Sequence, residues 1–288
     1  MRCVVTGGAG FIGSNLVDRL IDDGCEVIVF DDLSTGKEEN INPKAKFFKV
    51  DISDSNVFDE KRIRDYSMKD VMTGVDVVFH MACLARVQPS IEEPLLYHNK
   101  NVNGLVNMLE ACRKYDVKRF VFSSSSSVYG DAEEVPTSEN CKLNPMSPYA
   151  IHKLIGEQYC KLYSELYNIE TVSLRYFNVY GNRQPTEGAY CLVMGVFAGQ
   201  MLKGAPMTIR GDGEQRRDFT YVGDVVDVNI KCMDYPLELN GDVFNIGNGD
   251  NLSVSDIADL MGGSRVHVEP VIEPRETLAN YDKANKVF

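Results

Sequence analysis

The sequence predicts an α/β fold, a doubly wound parallel sheet followed by a smaller C-terminal domain. Short apolar segments alternate with segments of helical periodicity from residue 2 to residue 175, the order that produces parallel strands joined by helices. A glycine-rich turn joins the first apolar segment to the first helical one. The alternation weakens beyond residue 181. We therefore expect one domain at 1–181, to which 218–247 return, and a cap formed by 182–217 and 248–288.

Composition narrows the class of protein. The chain has 288 residues and a formal net charge of -12, which argues against nucleic acid or an anionic membrane as a partner. The longest apolar runs are shorter than a transmembrane helix needs, and the N-terminus lacks the features of a signal peptide. None of the eight cysteines forms a C-x-x-C or Cys/His cluster. We expect reduced thiols, a cytoplasmic location and no metal.

The first element is a strand at 2–6, followed directly by a glycine-rich turn at 7–13. A helix comes next and ends at Gly24, and a second buried strand at 27–30 ends in Asp31 and Asp32. The glycines permit a tight turn and let a pyrophosphate approach the backbone, and the N–H groups of the helix N-terminus face that pyrophosphate. This order predicts a Rossmann-type dinucleotide-binding unit.

The acid after the second strand predicts which dinucleotide binds. Asp31 lies 18 residues after Gly13, close to the roughly 20 residues that separate the ribose-binding acid from the glycines. Its carboxylate accepts hydrogen bonds from both ribose hydroxyls. It would repel a 2′-phosphate by roughly 4 kcal/mol at 4 Å and an effective dielectric constant of 20. We therefore predict NAD rather than NADP.

The later strands extend the same sheet. Strands are predicted at 46–50, 75–79, 120–122 and 171–175, a partly helical segment at 55–72, helices at 90–114, 147–168 and 222–234, and a returning strand at 243–246. Ligands of such sheets bind beyond the carboxyl ends of the strands. At such a strand end, Asp51 could contact the adenine amino group. The alternative is that Asp51 is a solvated residue at the end of its strand. The residues expected to line one crevice are Gly7, Asp31, Asp51, Ala82 and Ser125.

Two of the predicted helices are apolar on two sides. The helices at 90–114 and 147–168 carry more apolar positions than one buried face requires. Such a surface is either core or the interface of a helix-bundle dimer. We expect a homodimer formed through these two helices.

The helix at 147–168 begins with a candidate acid–base pair. Ser147 is a suitable N-cap and Pro148 suits the first helical position. Tyr149 and Lys153 are four residues apart, on one face of the helix. A Lys ammonium beside a phenol lowers the Tyr pKa from about 10, so Tyr149 is a candidate general base that could share its proton with a serine hydroxyl. The alternative is a surface Tyr and Lys on an ordinary helix.

Taken together, the motifs resemble the extended short-chain dehydrogenase/reductase family, most closely its NAD-dependent nucleotide-sugar epimerases of the UDP-glucose 4-epimerase type. The resemblance covers about residues 1–250, in family order. The matching segments are 6–13 (TGGAGFIG), 123–130 (SSSSSVYG), 147–153 (SPYAIHK), 174–181 (LRYFNVYG) and 211–219 (GDGEQRRDF).

The resemblance implies a role for each motif. Tyr149 would remove the proton of the sugar 4-hydroxyl while hydride passes from C4 to the nicotinamide. Lys153 would hold the nicotinamide ribose, and Ser125 would hydrogen-bond the sugar oxygen. The keto sugar then rotates and hydride returns to its other face. The implied substrate contacts are Ser125, Ser127, Asn178 and Arg217. The implied cofactor contacts are Gly7, Gly10, Phe11, Ile12, Gly13, Asp31, Asp32, Ser34, Thr35, Gly36, Asp51, Ile52, Met81, Ala82, Asn101, Ser123, Tyr149, Lys153 and Tyr176.

The C-terminal part departs from the family pattern. When Glu273 is aligned with the acid of the C-terminal motif, Pro270 takes the place of a phosphate-binding arginine, and Arg275 is either its replacement or a surface residue. Thr277 aligns with a bulky aromatic, which hints at a roomier pocket for an N-acetylated sugar. The chain stops at Phe288, where relatives continue; a truncated chain and a short cap are both open.

The serine run bears on the reaction type. Related dehydratases carry Asp-Glu, and related decarboxylases tend to carry Glu, where this chain has Ser126 and Ser127. Elimination needs such groups, so the resemblance favours C4 epimerisation of a UDP-sugar, glucose/galactose or their N-acetyl forms. The alternatives are a UDP-glucuronate 4-epimerase, a dehydratase or reductase, and a non-catalytic NAD- or nucleotide-binding regulator.

Overall fold

The computed structural model describes residues 1–54, 56, 62–63, 66–188, 191–270 and 274–288. Its strands are β1 (Arg2–Thr6), β2 (Glu26–Asp31), β3 (Lys46–Lys49), β4 (Arg62–Ile63), β5 (Tyr66–Ser67), β6 (Val77–His80), β7 (Arg119–Ser125), β8 (Glu170–Tyr176), β9 (Val179–Tyr180), β10 (Met207–Arg210), β11 (Arg216–Asp218), β12 (Thr220–Tyr221), β13 (Asp242–Ile246), β14 (Asn251–Ser253) and β15 (Arg265–Val268). Its α-helices are α1 (Phe11–Asp22), α2 (Met68–Met72), α3 (Val87–Glu92), α4 (Pro94–His98), α5 (Gly104–Lys114), α6 (Pro148–Tyr167), α7 (Val193–Leu202), α8 (Val222–Asp234), α9 (Val254–Met261) and α10 (Asp282–Val287).

A seven-stranded sheet organises the molecule. Its strand order is β13-β8-β7-β6-β1-β2-β3, and every neighbouring pair is parallel. The order reverses between β1 and β6, where Thr6 pairs with His80. The chain therefore runs outward in both directions from this point, and the predicted doubly wound parallel sheet is confirmed. Such a reversal leaves a crevice at the carboxyl ends of the two strands.

The two faces of the sheet are covered by different helices. Because side chains alternate along a strand, Phe79 and Val121 point to one face and Val78 and Phe120 to the other. The first face packs with apolar residues of α1 and α8, and the second with apolar residues of α2, α5 and α6. Burial on both faces explains why these strands read as continuous apolar runs in the sequence.

The predicted helix at 90–114 is interrupted. It consists of α3, α4, a π-helical turn at Asn99–Asn103 and α5. Glu93 leaves the helical conformation (φ -127°) because it precedes Pro94, whose ring disfavours helical geometry in the residue before it. The strand predicted at 120–122 extends to Ser125. Within the segment predicted as partly helical at 55–72, α2 is a helix, while residues 55, 57–61 and 64–65 lie outside the described part.

A smaller core lies beyond the main sheet. Phe197, Met207, Ile209, Phe219 and Ile257 pack together in it. Around it, β10 pairs with β15 and β11 pairs with β14. Most of these residues belong to the segments predicted as the cap, and the division into two domains remains a prediction.

Among the helices that the structure describes, none combines the length and the apolar character needed to cross a lipid bilayer.

Candidate active site

A crevice of ≈ 1320 Å³ opens at the carboxyl ends of the main sheet. Gly7, Asp31, Asp51, Ala82 and Ser125, which the sequence placed at one edge, all line it. Two predicted cofactor residues, Gly36 and Asn101, lie behind the lining rather than in it. The other predicted cofactor and substrate residues in the lining are Gly10, Phe11, Ile12, Gly13, Asp32, Ser34, Thr35, Ile52, Met81, Ser123, Ser127, Tyr149, Lys153, Tyr176, Asn178 and Arg217.

The glycine-rich turn forms a cradle that side chains would fill. Gly7 has a φ of +70°, and a Cβ there would lie 2.8 Å from the Cα of Ala82. A Cβ on Gly13 would lie 2.2 Å from the Gly7 carbonyl oxygen. Gly10 is the N-cap of α1 and offers no side chain to the N–H groups of the first turn. Those N–H groups are free to bind an anion, so the turn fits the pyrophosphate of a dinucleotide.

Asp31 braces this turn as well as lining the crevice. Its Oδ2 accepts a hydrogen bond from the Ala9 amide (3.0 Å), and its Oδ1 accepts one from the Leu33 amide (2.8 Å). Burial raises the pKa of the Asp31 carboxyl, and these two amides oppose that rise. Gly36 backs the same carboxylate, since a Cβ there would lie 2.8 Å from Asp31 Oδ1. Gly36 thus fits a supporting position behind Asp31.

Asn101 supports the opposite wall. Its Oδ1 accepts from the Leu84 amide (2.7 Å) and its Nδ2 donates to the Leu84 carbonyl (2.9 Å). This pair of bonds holds the segment after β6, which lines the crevice. The neighbouring Lys100, which also lines the crevice, was not predicted, because its acidic partners are distant in the sequence.

The predicted acid–base residues meet where β7 ends and α6 begins. Ser147 caps α6 by accepting a hydrogen bond from the Ala150 amide (3.2 Å). Lys153 Nζ lies 5.8 Å from the centre of the Tyr149 ring and donates to the Ser123 carbonyl at 2.5 Å. Ser125 lines the crevice with Tyr149 and lowers the pKa of the Tyr149 phenol. The structure thus brings together a phenol, a cation and a hydroxyl at one point of the crevice.

The predicted net effect on the Tyr149 pKa is wrong for this structure. Burial raises the pKa of the phenol above its usual value of 10.0, and this exceeds the lowering by Lys153, Ser125 and Arg86. The sequence reasoning considered the cation but not the burial, which depends on segments distant in the chain. Lys153 still acts in the predicted direction, because its charge favours the phenolate.

Two crevice residues beside Tyr149 were not anticipated. Cys83 and Arg86 both line the crevice and both influence the pKa of Tyr149. Arg86 has a φ of +103°, a backbone geometry that non-glycine residues rarely adopt and that concentrates at functional sites. The sequence carried no signal for this strain.

Asn178 and Arg217, two of the substrate residues predicted from the resemblance, line the crevice. Asn178 Nδ2 donates to the Asp218 carbonyl (2.9 Å) and to Thr277 Oγ1 (3.3 Å), and Thr277 lines the crevice with Arg217. In the described part of the chain, the buried hydroxyl of Ser127 has no hydrogen-bond partner. A buried polar atom without a partner is costly unless a ligand or water satisfies it, so this wall fits a polar ligand.

Arg275 behaves as a surface residue in this structure. Its side chain is 64% exposed and pairs with Asp212 (3.0 Å), and it is absent from the described crevice lining, as is Pro270. Glu273, on which the alignment of this segment relied, lies outside the described residues.

Comparisons with known proteins agree with this geometry. The profile of the family described as "NAD dependent epimerase/dehydratase family" matches residues 3–247. UDP-glucose 4-epimerase of Mycolicibacterium smegmatis is 37% identical over 276 residues, which are 92% of this chain and 82% of that protein.

Solved structures agree as well. The structure of Thermotoga maritima UDP-glucose 4-epimerase with UDP-glucose has a TM-score of 0.90 and 37% identity, covering 99% of this chain and 92% of that one. The structure of Bacillus cereus UDP-glucuronic acid 4-epimerase with UDP-glucuronic acid and NAD has a TM-score of 0.86 and 31% identity, covering 100% and 92%. The chain belongs to the NAD-dependent epimerase/dehydratase family, which confirms the resemblance and NAD as the cofactor.

Proposed function

We propose that this protein inverts the configuration at C4 of a UDP-sugar through a transient 4-keto sugar, with Tyr149 as the base. The observation that carries the proposal is the meeting of Ser125, Tyr149 and Lys153 beside the glycine cradle, in one crevice. When bound there, NAD supplies the chemistry that this chain lacks, since it takes up hydride from C4 and gives it back.

Proton transfer falls to the chain's own residues. The Tyr149 phenolate takes the proton of the 4-hydroxyl. It returns the proton after the keto sugar has rotated in the crevice. Ser125, which lines the crevice with Tyr149 and lowers the pKa of its phenol, would hold the same sugar oxygen. The positive charge of Lys153 stabilises the phenolate, and its bond to the Ser123 carbonyl (2.5 Å) fixes the ammonium in place.

The nucleotide end of the substrate is assigned to the cap side of the crevice. Arg217 is 9% exposed and lines the crevice, and a guanidinium there suits a pyrophosphate because it can bind two phosphate oxygens at once. Asn178 and the unpartnered hydroxyl of Ser127 add polar contacts. Thr277, in place of a bulkier residue, favours room for an N-acetyl group, so glucose/galactose and N-acetylated UDP-sugars are the candidate substrates.

Elimination or decarboxylation is the competing chemistry. It needs an acid or base at the positions that Ser126 and Ser127 occupy. Asp131 and Glu187 also line the crevice, but both are exposed. A catalytic acid that works near neutral pH requires burial to raise its pKa, so neither residue suits that role.

Product analysis tests the proposal. Purified protein should contain NAD and should convert one member of a panel of UDP-sugars into its C4 epimer without added NADH. Tyr149→Phe should lower kcat by about 10³, whereas Tyr167→Phe on the exposed side of the same helix should not. Accumulation of a 4-keto-6-deoxy sugar would indicate a dehydratase. Bound NAD without turnover of any sugar would indicate a non-catalytic regulator.

We also propose that the active form is a homodimer in the cytoplasm. Apolar side chains on the predicted dimer helices are exposed, namely Leu95 (86%), Ile151 (42%), Leu162 (43%) and Leu166 (61%). A second copy of the same surface would cover them. The eight cysteines suit a reducing compartment.

A further inference from the structure

Three consecutive residues of the π-helical turn contact segments that follow the strands of the main sheet beside the cofactor crevice. Asn99 Nδ2 donates to Ser53 Oγ at 3.2 Å. Lys100 turns toward the ends of β2 and β3, and Asn101 holds the Leu84 backbone after β6. In a regular α-helix, successive side chains point about 100° apart. Here the wider π turn occurs at the residues that make these contacts, and π turns are frequent at functional sites.

Lys100 forms a bridge between two carboxylates. Its Nζ lies 2.7 Å from Asp32 Oδ2 and 2.8 Å from Asp51 Oδ2. The other oxygen of each acid is also held: Asp32 Oδ1 accepts from the Ser34 amide (2.8 Å), and Asp51 Oδ1 accepts from Ser53 Oγ (2.6 Å). Both carboxylates are therefore fixed in position.

The charges of this cluster depend on one another. Burial disfavours the charged forms, yet the hydrogen bonds from Lys100 leave the pKa values of Asp32 and Asp51 lower than usual. Burial likewise disfavours the ammonium, but its two carboxylate partners raise the pKa of Lys100. Asp31 adds a third carboxylate to the same wall. Without Lys100, three like charges would face each other and the phosphates of a dinucleotide.

The cluster lies at the adenosine end of the crevice. Asp32, Asp51 and Lys100 line the crevice at the ends of β2 and β3. Tyr149 comes after β7, which is three strands from β2 and four from β3 in the sheet order. A defect in the cluster should therefore affect the cofactor and not the UDP end of the substrate.

We propose that Lys100 is a positioning residue of the cofactor site: by bridging Asp32 and Asp51 it closes the adenosine end of the crevice, and retention of NAD depends on that bridge. The proposal rests on binding of NAD in this crevice and is independent of which sugar is the substrate.

Cofactor titration of the Lys100→Met variant tests the bridge. Apoprotein is titrated with NAD, and separately with UDP, by calorimetry. Lys100→Met should bind NAD about tenfold more weakly, and UDP with unchanged affinity, because an ion pair of this exposure contributes on the order of a factor of ten or less. Lys100→Arg, which can also bridge two carboxylates, should recover most of the affinity for NAD. Lys44→Met, which removes an equal charge from an exposed loop, is the matched control.

The titration also separates the possible failures. Wild-type affinity of Lys100→Met for NAD, or an equal loss for NAD and UDP, would overturn the proposal. If Lys100→Met does not fold, Lys100→Gln, which keeps hydrogen-bonding ability without the charge, takes its place with the same expected loss. Because no turnover is measured, an error in the proposed reaction would leave the NAD titration unaffected.

Discussion

Glu157 and Arg175 form a buried two-point ion pair behind the serines that lead to Ser125. The nitrogen–oxygen distances are 2.8 and 2.7 Å, and the side chains are only 2% and 4% exposed. Ser124 Oγ donates to the same carboxylate at 2.5 Å, and Arg175 Nη1 donates to the Tyr129 hydroxyl at 2.7 Å. The pair thus ties α6, which carries the proposed base, to β7 and β8 of the main sheet.

Replacing one partner of this pair should destabilise the protein. Glu157→Gln leaves the buried charge of Arg175 without compensation, and we expect the free energy of unfolding to fall by about 3–5 kcal/mol. Urea denaturation of the two proteins measures the difference.

An exposed pair on the same helix provides the control. Lys161 and Glu165 lie 3.9 Å apart with side chains 61% and 57% exposed, and such pairs contribute about 0.5 kcal/mol or less. Glu165→Gln should therefore leave the urea midpoint nearly unchanged. Equal effects of the two substitutions would show that the Glu157 pair stabilises the protein no more than a surface contact.

Features encoded locally were predictable from the sequence. The glycine turn, Gly24 and the acid Asp31 define β1, α1 and β2 within about 30 residues, because turn geometry and periodicity act over short distances. Ser147 and Pro148 likewise mark the start of α6 correctly. The edge at which the predicted site residues gather then follows from strand order alone.

Features that depend on distant segments were not predictable. The bridge made by Lys100 requires the ends of β2 and β3 to lie beside a π-helical turn, which no local pattern indicates. The pKa of Tyr149 is raised by burial that other parts of the chain create. Arg175 reads as part of a strand motif, and only the fold pairs it with Glu157.

Adding one methyl group at Gly13 should abolish cofactor binding. The new Cβ would lie 2.2 Å from the Gly7 carbonyl oxygen, so the turn must open and the cradle is lost. We expect Gly13→Ala to retain no measurable NAD after purification. Gly24→Ala is the control, because Gly24 has a φ of +81° but open space around it. It should lose only about 1–2 kcal/mol of stability and keep its NAD; loss of NAD from both variants would contradict the cradle.

Removal of the Lys153 charge should shift the pH dependence of turnover. Burial raises the pKa of Tyr149, and Lys153 opposes that rise. Without the cation the pKa rises further, so less phenolate is present at neutral pH. Lys153→Met should lower kcat by about 10² near pH 7, and kcat of both proteins should rise with pH because more phenolate forms. Rates from about pH 6 to about pH 10 check this; a Lys153→Met rate that does not increase with pH would refute the electrostatic role.

The proposed homodimer predicts which apolar side chains are needed for association. Leu95 on α4 is 86% exposed and Leu166 on α6 is 61% exposed, so a charge at either position disturbs no packing within one chain. Leu95→Glu and Leu166→Glu should both produce folded monomers, because burying an unpaired carboxylate in a dimer interface costs about several kcal/mol. Light scattering measures the oligomeric state, and circular dichroism checks the fold.

A third leucine tests whether exposure alone has this effect. Leu202 is 83% exposed but ends α7, in the segment predicted as the cap and outside α4 and α6. Leu202→Glu should therefore remain dimeric. Monomers from Leu202→Glu together with dimers from Leu95→Glu would place the interface on the cap instead. Dimers from all three variants would exclude both surfaces, because a carboxylate buried without a partner cannot be tolerated at the centre of an apolar interface.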